Sequence, residues 1–219
     1  KGQDADTLAV SLQEAWRAFH AGDFQAAFES GSALGPVGAS VACKAIGIHA
    51  TYLVDDEKER LQRFQTAADF AEKAIAALPG EANSHYRHAF ALGRYSQGIS
   101  IAKALSQGLA NKVKASLDAT LEHAPRHAEA LTALALWHAE IVAKVGGMIG
   151  GLTYGAKAGD AEKHIKAALA LTPDSPIAHI EHGNLLLALH GSKKEDAAAA
   201  AYEKAAKLKP RDAMEHLDA

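Results

Sequence analysis

The sequence holds 219 residues, 48% apolar and 22% charged, with a formal net charge of −3 and a pI near 6.5. That balance belongs to an ordinary globular chain and excludes the clustered Lys and Arg of a nucleic-acid binder. A single cysteine excludes an intramolecular disulfide, and no run reaches the ~18 apolar residues that a membrane span needs.

The chain opens at Lys1 without Met or an apolar signal region, which fits a mature or trimmed chain and leaves room for a cleaved targeting segment. Helix signals follow throughout. Alanine is abundant, β-branched alternation is absent, and the six prolines fall between periodic segments. Thr7 to His20 reads as a first helix. Gly22-Asp23-Phe24 turns the chain into a second, which ends near Gly35-Pro36. A third runs from about Val37 to Leu53. Asp55, Asp56 and Glu57 put negative charge at the start of a fourth, Lys58 to Leu78, where the helix dipole favours it. Cys43, in Val41-Ala42-Cys43-Lys44, reads as a buried and inert thiol.

From here the chain repeats itself. Four helices end alike, in Leu78-Pro79, Ala124-Pro125, Thr172-Pro173 and Lys209-Pro210, and the prolines are 46, 48 and 37 residues apart. A recurring Pro stop at such a period means stacked helical hairpins, none able to bury its apolar face alone. These residues resemble the tetratricopeptide repeat (TPR), a unit of two antiparallel helices. Gly22-Asp23-Phe24-Gln25-Ala26-Ala27 matches its turn. Ala67 and Ala74, Ala161 and Ala168, and Ala198, Tyr202 and Ala205 match the second-helix positions, and Gly183 matches the first-helix glycine. Val113 and Thr120 stand where two alanines are expected. The resemblance covers most of the chain. It implies an all-α superhelical stack of about five hairpins, a single repeat domain over residues 1–219.

Two repeats carry about a dozen extra residues at the same place, between first and second helix. One insert runs from Gln97 to Leu109, the other from Val145 to Gly155. The second is apolar, uncharged and rich in glycine, which weakens a helix by roughly 1 kcal/mol per residue. It reads as a loop or distorted helix packed against the protein's own core, another chain or an apolar ligand.

Candidate chemistry is sparse. His85 and His88, like His179 and His182, stand one turn apart, a spacing that can ligate zinc. Alignment of the repeats puts them instead at positions that pack between helices, so no metal site is assigned. His-Glu-x-x-His is absent, and Gly146 to Gly151 is not followed by Gly-Lys-Ser/Thr, so neither a metalloprotease nor a nucleotide site is expected. Trp137-His138-Ala139-Glu140 supplies an acid and a base without a nucleophile, and no Ser/His/Asp set stands out. No catalytic residue and no cofactor are assigned, and a non-enzymatic protein is expected.

In the repeat family the first helices line a concave face that holds ligands. The resemblance places Asn83, Tyr86, Phe90, Glu129, Thr132, Leu136, Glu140, Ile177, Ile180, Asn184 and Leu187 there. Members that clamp a peptide carboxylate use Lys and Arg with Asn, and only Asn184 fits that set. A mostly apolar face remains. Two functions follow. The first is a scaffold or accessory protein, and the pattern is similar to bacterial envelope proteins of this class that accompany solute or lipid transporters. That resemblance implies a periplasmic or envelope-associated place, otherwise a cytoplasmic one. The second is a carrier of an apolar small molecule such as a lipid or sterol. For the carrier, Met148, Ile149, Leu152 and Tyr154 fold back over Tyr86, Phe90, Leu136 and Ile180, joined by Ile99, Ile101 and Leu105. Monomers rarely leave large apolar patches bare. Thr132, Glu140, Asn184 and Leu187 complete the candidate ligand-binding set.

Overall fold

The computed structural model describes residues 4–218. The described residues form helices packed in consecutive pairs, the all-α architecture that the proline stops predict. They gather into two compact units. One holds the described residues up to His123 together with Asp212–Met214, the other Ala124–Arg211 with the described residues from Glu215. Lys1 to Gln3 and Ala219, the ends of the expected single domain, lie outside the described residues.

In the first unit α1 (Ala5–Ala21) pairs with α2 (Phe24–Ala33) and α3 (Ala39–Tyr52) with α4 (Glu57–Ala77). Next, α5 (Ala82–Gln97) pairs with α7 (Leu109–His123), and the short α6 (Ile101–Ser106) lies in the connection. In the second unit α8 (Ala128–Val145) is followed by the single turn α9 (Gly147–Ile149) and a π-helical turn at Gly150–Tyr154. Here α8 pairs with α10 (Ala158–Leu171), and α11 (Pro176–His190) with α12 (Glu195–Lys207). Helix α13 (Ala213–Asp218) ends the described chain.

The three central junctions share one device. Pro79, Pro125 and Pro173 each follow a helix that they cannot continue, because proline has no N–H to donate. Two residues on, a side chain caps the next helix. The Glu81 carboxylate accepts from the N–H of Ser84 at 2.6 Å and of Asn83 at 3.1 Å. Nδ1 of His127 accepts from the Ala130 N–H at 3.1 Å, and Oγ of Ser175 from the Ala178 N–H at 3.5 Å. Each cap satisfies donors that the first helical turn leaves without an intrahelical partner.

Small residues set the crossings. Ala67 and Ala74 of α4, Ala161 and Ala168 of α10, and Ala198 and Ala205 of α12 are buried, as the repeat register predicts. Gly183 of α11 faces the Tyr202 ring so closely that a Cβ there would lie 2.5 Å from Cε1. Val113 and Thr120 of α7 are also buried, and the Thr120 hydroxyl donates to the Ser116 carbonyl at 2.7 Å. A helical back-bond is how a hydroxyl is accommodated at a position that usually holds alanine. Between the first two hairpins α2 ends at Ala33, close to the stop expected near Gly35-Pro36, and Gly35–Gly38 forms a 3-10 turn before α3 begins. Gly38 passes over the Gly31 carbonyl, leaving no room for a side chain, and this tighter turn joins the two helices.

Candidate binding surfaces

The expected groove residues divide between the two units. In the first unit Tyr86 is 7% exposed, a core residue, while Phe90 is half-buried and presses on α3 at Gly47, where a Cβ would meet its ring at 2.7 Å. The Arg94 guanidinium lies 5.6 Å from the Phe90 ring centroid, within cation–π range.

In the second unit α8 and α11 pack together. Thr132 is buried and its hydroxyl donates to the Ala128 carbonyl at 3.1 Å, so it presents little to a ligand. Leu136, Glu140 and Ile180 are half-buried, and Asn184 and Leu187 are exposed. Leu136 packs on the cluster of Ala135, Ala139, Ala161, Ile165 and Leu185. Glu140 pairs with Lys144 at 3.1 Å. Asn184 donates to Glu181 and accepts from the Tyr202 hydroxyl, both at 2.8 Å, so its amide is oriented by two neighbours.

The glycine-rich insert is a knob with a fixed base and a bare tip. Gly146 at φ +83° and Gly155 at φ +71° turn the chain out of α8 and toward α10, conformations that a side chain would strain. Between them the backbone bonds to itself: Gly150 N–H to Gly146 O at 2.9 Å, Gly155 N–H to Gly151 O at 3.1 Å, Ala156 N–H to Gly150 O at 3.0 Å. At the base Ala156 is fully buried, and Gly150 packs near Ile141 and Ala156. The buried His138 accepts the Lys157 N–H on Nδ1 at 3.2 Å and stacks on His164, with centroids 5.8 Å apart.

The tip corrects the expectation of a cover. Met148 is 81% exposed, Ile149 56% and Leu152 86%, with Tyr154 half-buried. The distorted helix predicted from glycine content is present, but its tight internal hydrogen bonding leaves too short a reach to fold these side chains under shelter. The earlier insert behaves likewise. Ile99 and Leu109 pack beside Phe64 and Tyr95, whereas Ile101 and Leu105 of α6 are 73% and 58% exposed. A cleft of about 270 Å³ lined by Phe28, Ser32, Thr66, Asp69, Phe70 and Lys73 contains none of the expected ligand-binding residues.

The histidines are tied into the fold. Nε2 of His85 lies 2.8 Å from the Pro79 carbonyl, and Nε2 of His179 is 2.8 Å from that of Pro173. His88 bonds to the Ser116 hydroxyl through Nδ1 at 2.8 Å. Among the described residues no three His, Cys, Asp or Glu side chains gather as a metal site. Cys43 is buried, its thiol donates to the Ala67 carbonyl at 3.3 Å, and burial pushes its pKa up to about 12. It is an inert core thiol at neutral pH. The junction caps and the carbonyl partners of His85 and His179 were missed from sequence. Their signal was there, two and six residues after Pro79 and Pro173.

Residues 39–145 match the family model described as Regulator of microtubule dynamics protein 1-3. No curated protein matches the sequence. Among solved structures, the chain is similar to the crystal structure of TTC0263, a thermophilic TPR protein in Thermus thermophilus. The TM-score is 0.65 at 17% identity, over 96% of this chain and 95% of that one. Helices packed in consecutive pairs, small residues at their crossings and this likeness together make the chain a TPR-like, all-α helical protein.

Proposed function

We propose that the chain is a non-catalytic binding module that holds an extended protein partner on its first-helix faces. The observation that carries this reading is the α8 and α11 pair, which leaves Leu136, Ile180 and Leu187 partly exposed beside the oriented amide of Asn184. Apolar contacts with a few placed polar groups are what peptide grooves use. The TPR-like fold supports a protein partner, since such repeats generally bind proteins. We extend the proposal to all 219 residues acting as one repeat domain, and to a scaffold or accessory role in a bacterial envelope transport system, in the periplasm or at the envelope. The carrier of a lipid or sterol needs a roof, and the exposure of Met148, Ile149 and Leu152 takes away the one expected for it.

A photo-crosslinking side chain at Leu187 tests the proposal in cells. A discrete protein adduct is expected, lost when Leu136→Asp is combined with Ile180→Asp in a protein that keeps its helical spectrum. Absence of any adduct, or an adduct that survives the double variant, overturns it. A lipid retained in native mass spectrometry and lost in that variant returns the carrier.

A further inference from the structure

We propose that the knob between α8 and α10 is a membrane-surface anchor: Met148, Ile149 and Leu152 enter the interfacial region of an anionic lipid bilayer while the exposed Lys157 meets its headgroups. This inference does not rest on the groove.

Four observations point to a bilayer. First, the three side chains are 81%, 56% and 86% exposed at the tip of one short turn, while the base is held by the buried Ala156, Gly150 and His138. A secured base under a bare apolar tip is a presented feature, distinct from a frayed loop. Second, the tip is small. A stable protein–protein interface takes roughly 20–30 residues and about 800 Å² a side, far more than three side chains provide. A bilayer needs no matching surface and gains from each apolar group that enters it.

Third, the tip is presented by a closed turn: Gly150, Gly155 and Ala156 donate their N–H groups to carbonyls inside it, so Met148, Ile149 and Leu152 stand on a fixed frame. Fourth, the knob itself carries no acid: Glu140 below it is paired with Lys144 at 3.1 Å, no Asp or Glu lies between Lys144 and Lys157, and Lys157 stands exposed on the flank toward α10. Lysines beside an apolar tip are attracted to anionic headgroups. Tyr154, half-buried at the edge of the turn, has the amphipathic character of an interfacial residue. No described helix is long and apolar enough to cross a membrane, so the contact proposed is with the surface.

The test uses the full chain with vesicles of phosphatidylcholine containing one-third phosphatidylglycerol, and with vesicles of phosphatidylcholine alone. Wild type should co-sediment with the anionic vesicles, and added salt should weaken the binding. Replacing Met148, Ile149 and Leu152 together by Ser should lower the partition at least about tenfold, the order expected for losing one buried apolar side chain or more. All three are exposed, so the helical spectrum should be unchanged. Lys157→Ala should lower binding to anionic vesicles about fivefold and leave neutral vesicles unaffected. An environment-sensitive dye on Thr153→Cys should shift to the blue on binding, and the buried Cys43 leaves that label specific. The proposal is overturned if wild type ignores both vesicles, if the triple variant binds as well, or if the dye stays in water. Self-association of wild type that the triple variant abolishes, without vesicle binding, makes the knob a contact for a second copy instead. Leu136→Asp with Ile180→Asp should keep vesicle binding, which separates failure of the groove from failure of the knob.

Discussion

The imidazole of His179 donates from Nε2 to the carbonyl oxygen of Pro173 at 2.8 Å. The carbonyl can only accept, so the bond fixes the tautomer of a buried ring. His85 makes the same bond to Pro79 at the same distance. Each ring ties the first helix of a hairpin to the end of the helix before it. His179→Ala should cost about 1–2 kcal/mol, the range for leaving a buried acceptor unmet. His85 is more exposed, so water replaces its bond and His85→Ala should cost less. Zinc titration should give neither stoichiometric binding nor a rise in Tm. A one-equivalent rise would show that these rings leave their carbonyls for a metal.

Acid should destabilise the fold in the histidine range. Burial holds His88, His182 and His49 below their usual 6.5, with the Arg63 charge adding to the effect at His49. The geometry at His49 agrees: Arg63 Nη1 donates to its Nδ1 at 3.0 Å, which needs an unprotonated nitrogen. The neutral form is favoured in the fold, so the unfolded chain takes up protons first as pH falls through 6.5. Stability is full above that value and is lost as pH falls through the lower folded pKa values. Urea midpoints at pH about 7.5 and about 5.5 should show the drop, and His88→Gln should make it smaller. A midpoint that rises on acidification contradicts the sign.

Ala161 and Ala168 are fully buried where α10 meets its neighbours. Leucine at either position should lower stability by roughly 1–3 kcal/mol, because a packed crossing has no space for the added carbons. Unchanged denaturation midpoints for both would mean that the crossings lie elsewhere.

These alanines were legible in the sequence because period and residue size are local signals. The proline stops, the Gly183 approach and the histidine positions were legible for the same reason, once one repeat was laid on another. The inserts were only half legible. Glycine content predicted a distorted helix between Val145 and Gly155, and the π turn at Gly150–Tyr154 is one. It did not predict exposure. Whether Met148 is covered depends on what the rest of the chain brings near it, and composition holds no record of that. The cover expected from Ile101 and Leu105 failed similarly, since α6 uses Ile99 and Leu109 on either side of it as anchors and turns those two outward. Cap identity was overlooked because Glu81 and His127 are uncommon N-caps, readable only from their shared distance to a proline.

Three glycine-to-alanine substitutions should rank by what each new methyl group meets. At Gly38 the Cβ would lie 2.0 Å from the Gly31 carbonyl oxygen. That atom belongs to backbone and cannot turn aside, so Gly38→Ala should cost about 3 kcal/mol, the upper end for overpacking. At Gly183 the obstacle is the Tyr202 ring, with Cε1 at 2.5 Å and Cζ at 2.7 Å. A ring can swing away, but this one would give up its 2.8 Å bond to Asn184. Gly183→Ala should therefore cost less, about 1–2 kcal/mol. Gly93 lies inside α5 with nothing within 4 Å of the added carbon. There the substitution only removes backbone freedom from the unfolded chain and should stabilise by ~0.5–1 kcal/mol. Denaturation midpoints of the three single variants check the order. Equal losses at Gly38 and Gly183 would mean that Tyr202 is as immovable as a backbone carbonyl, and any loss at Gly93 would place a neighbour where the fold has open space.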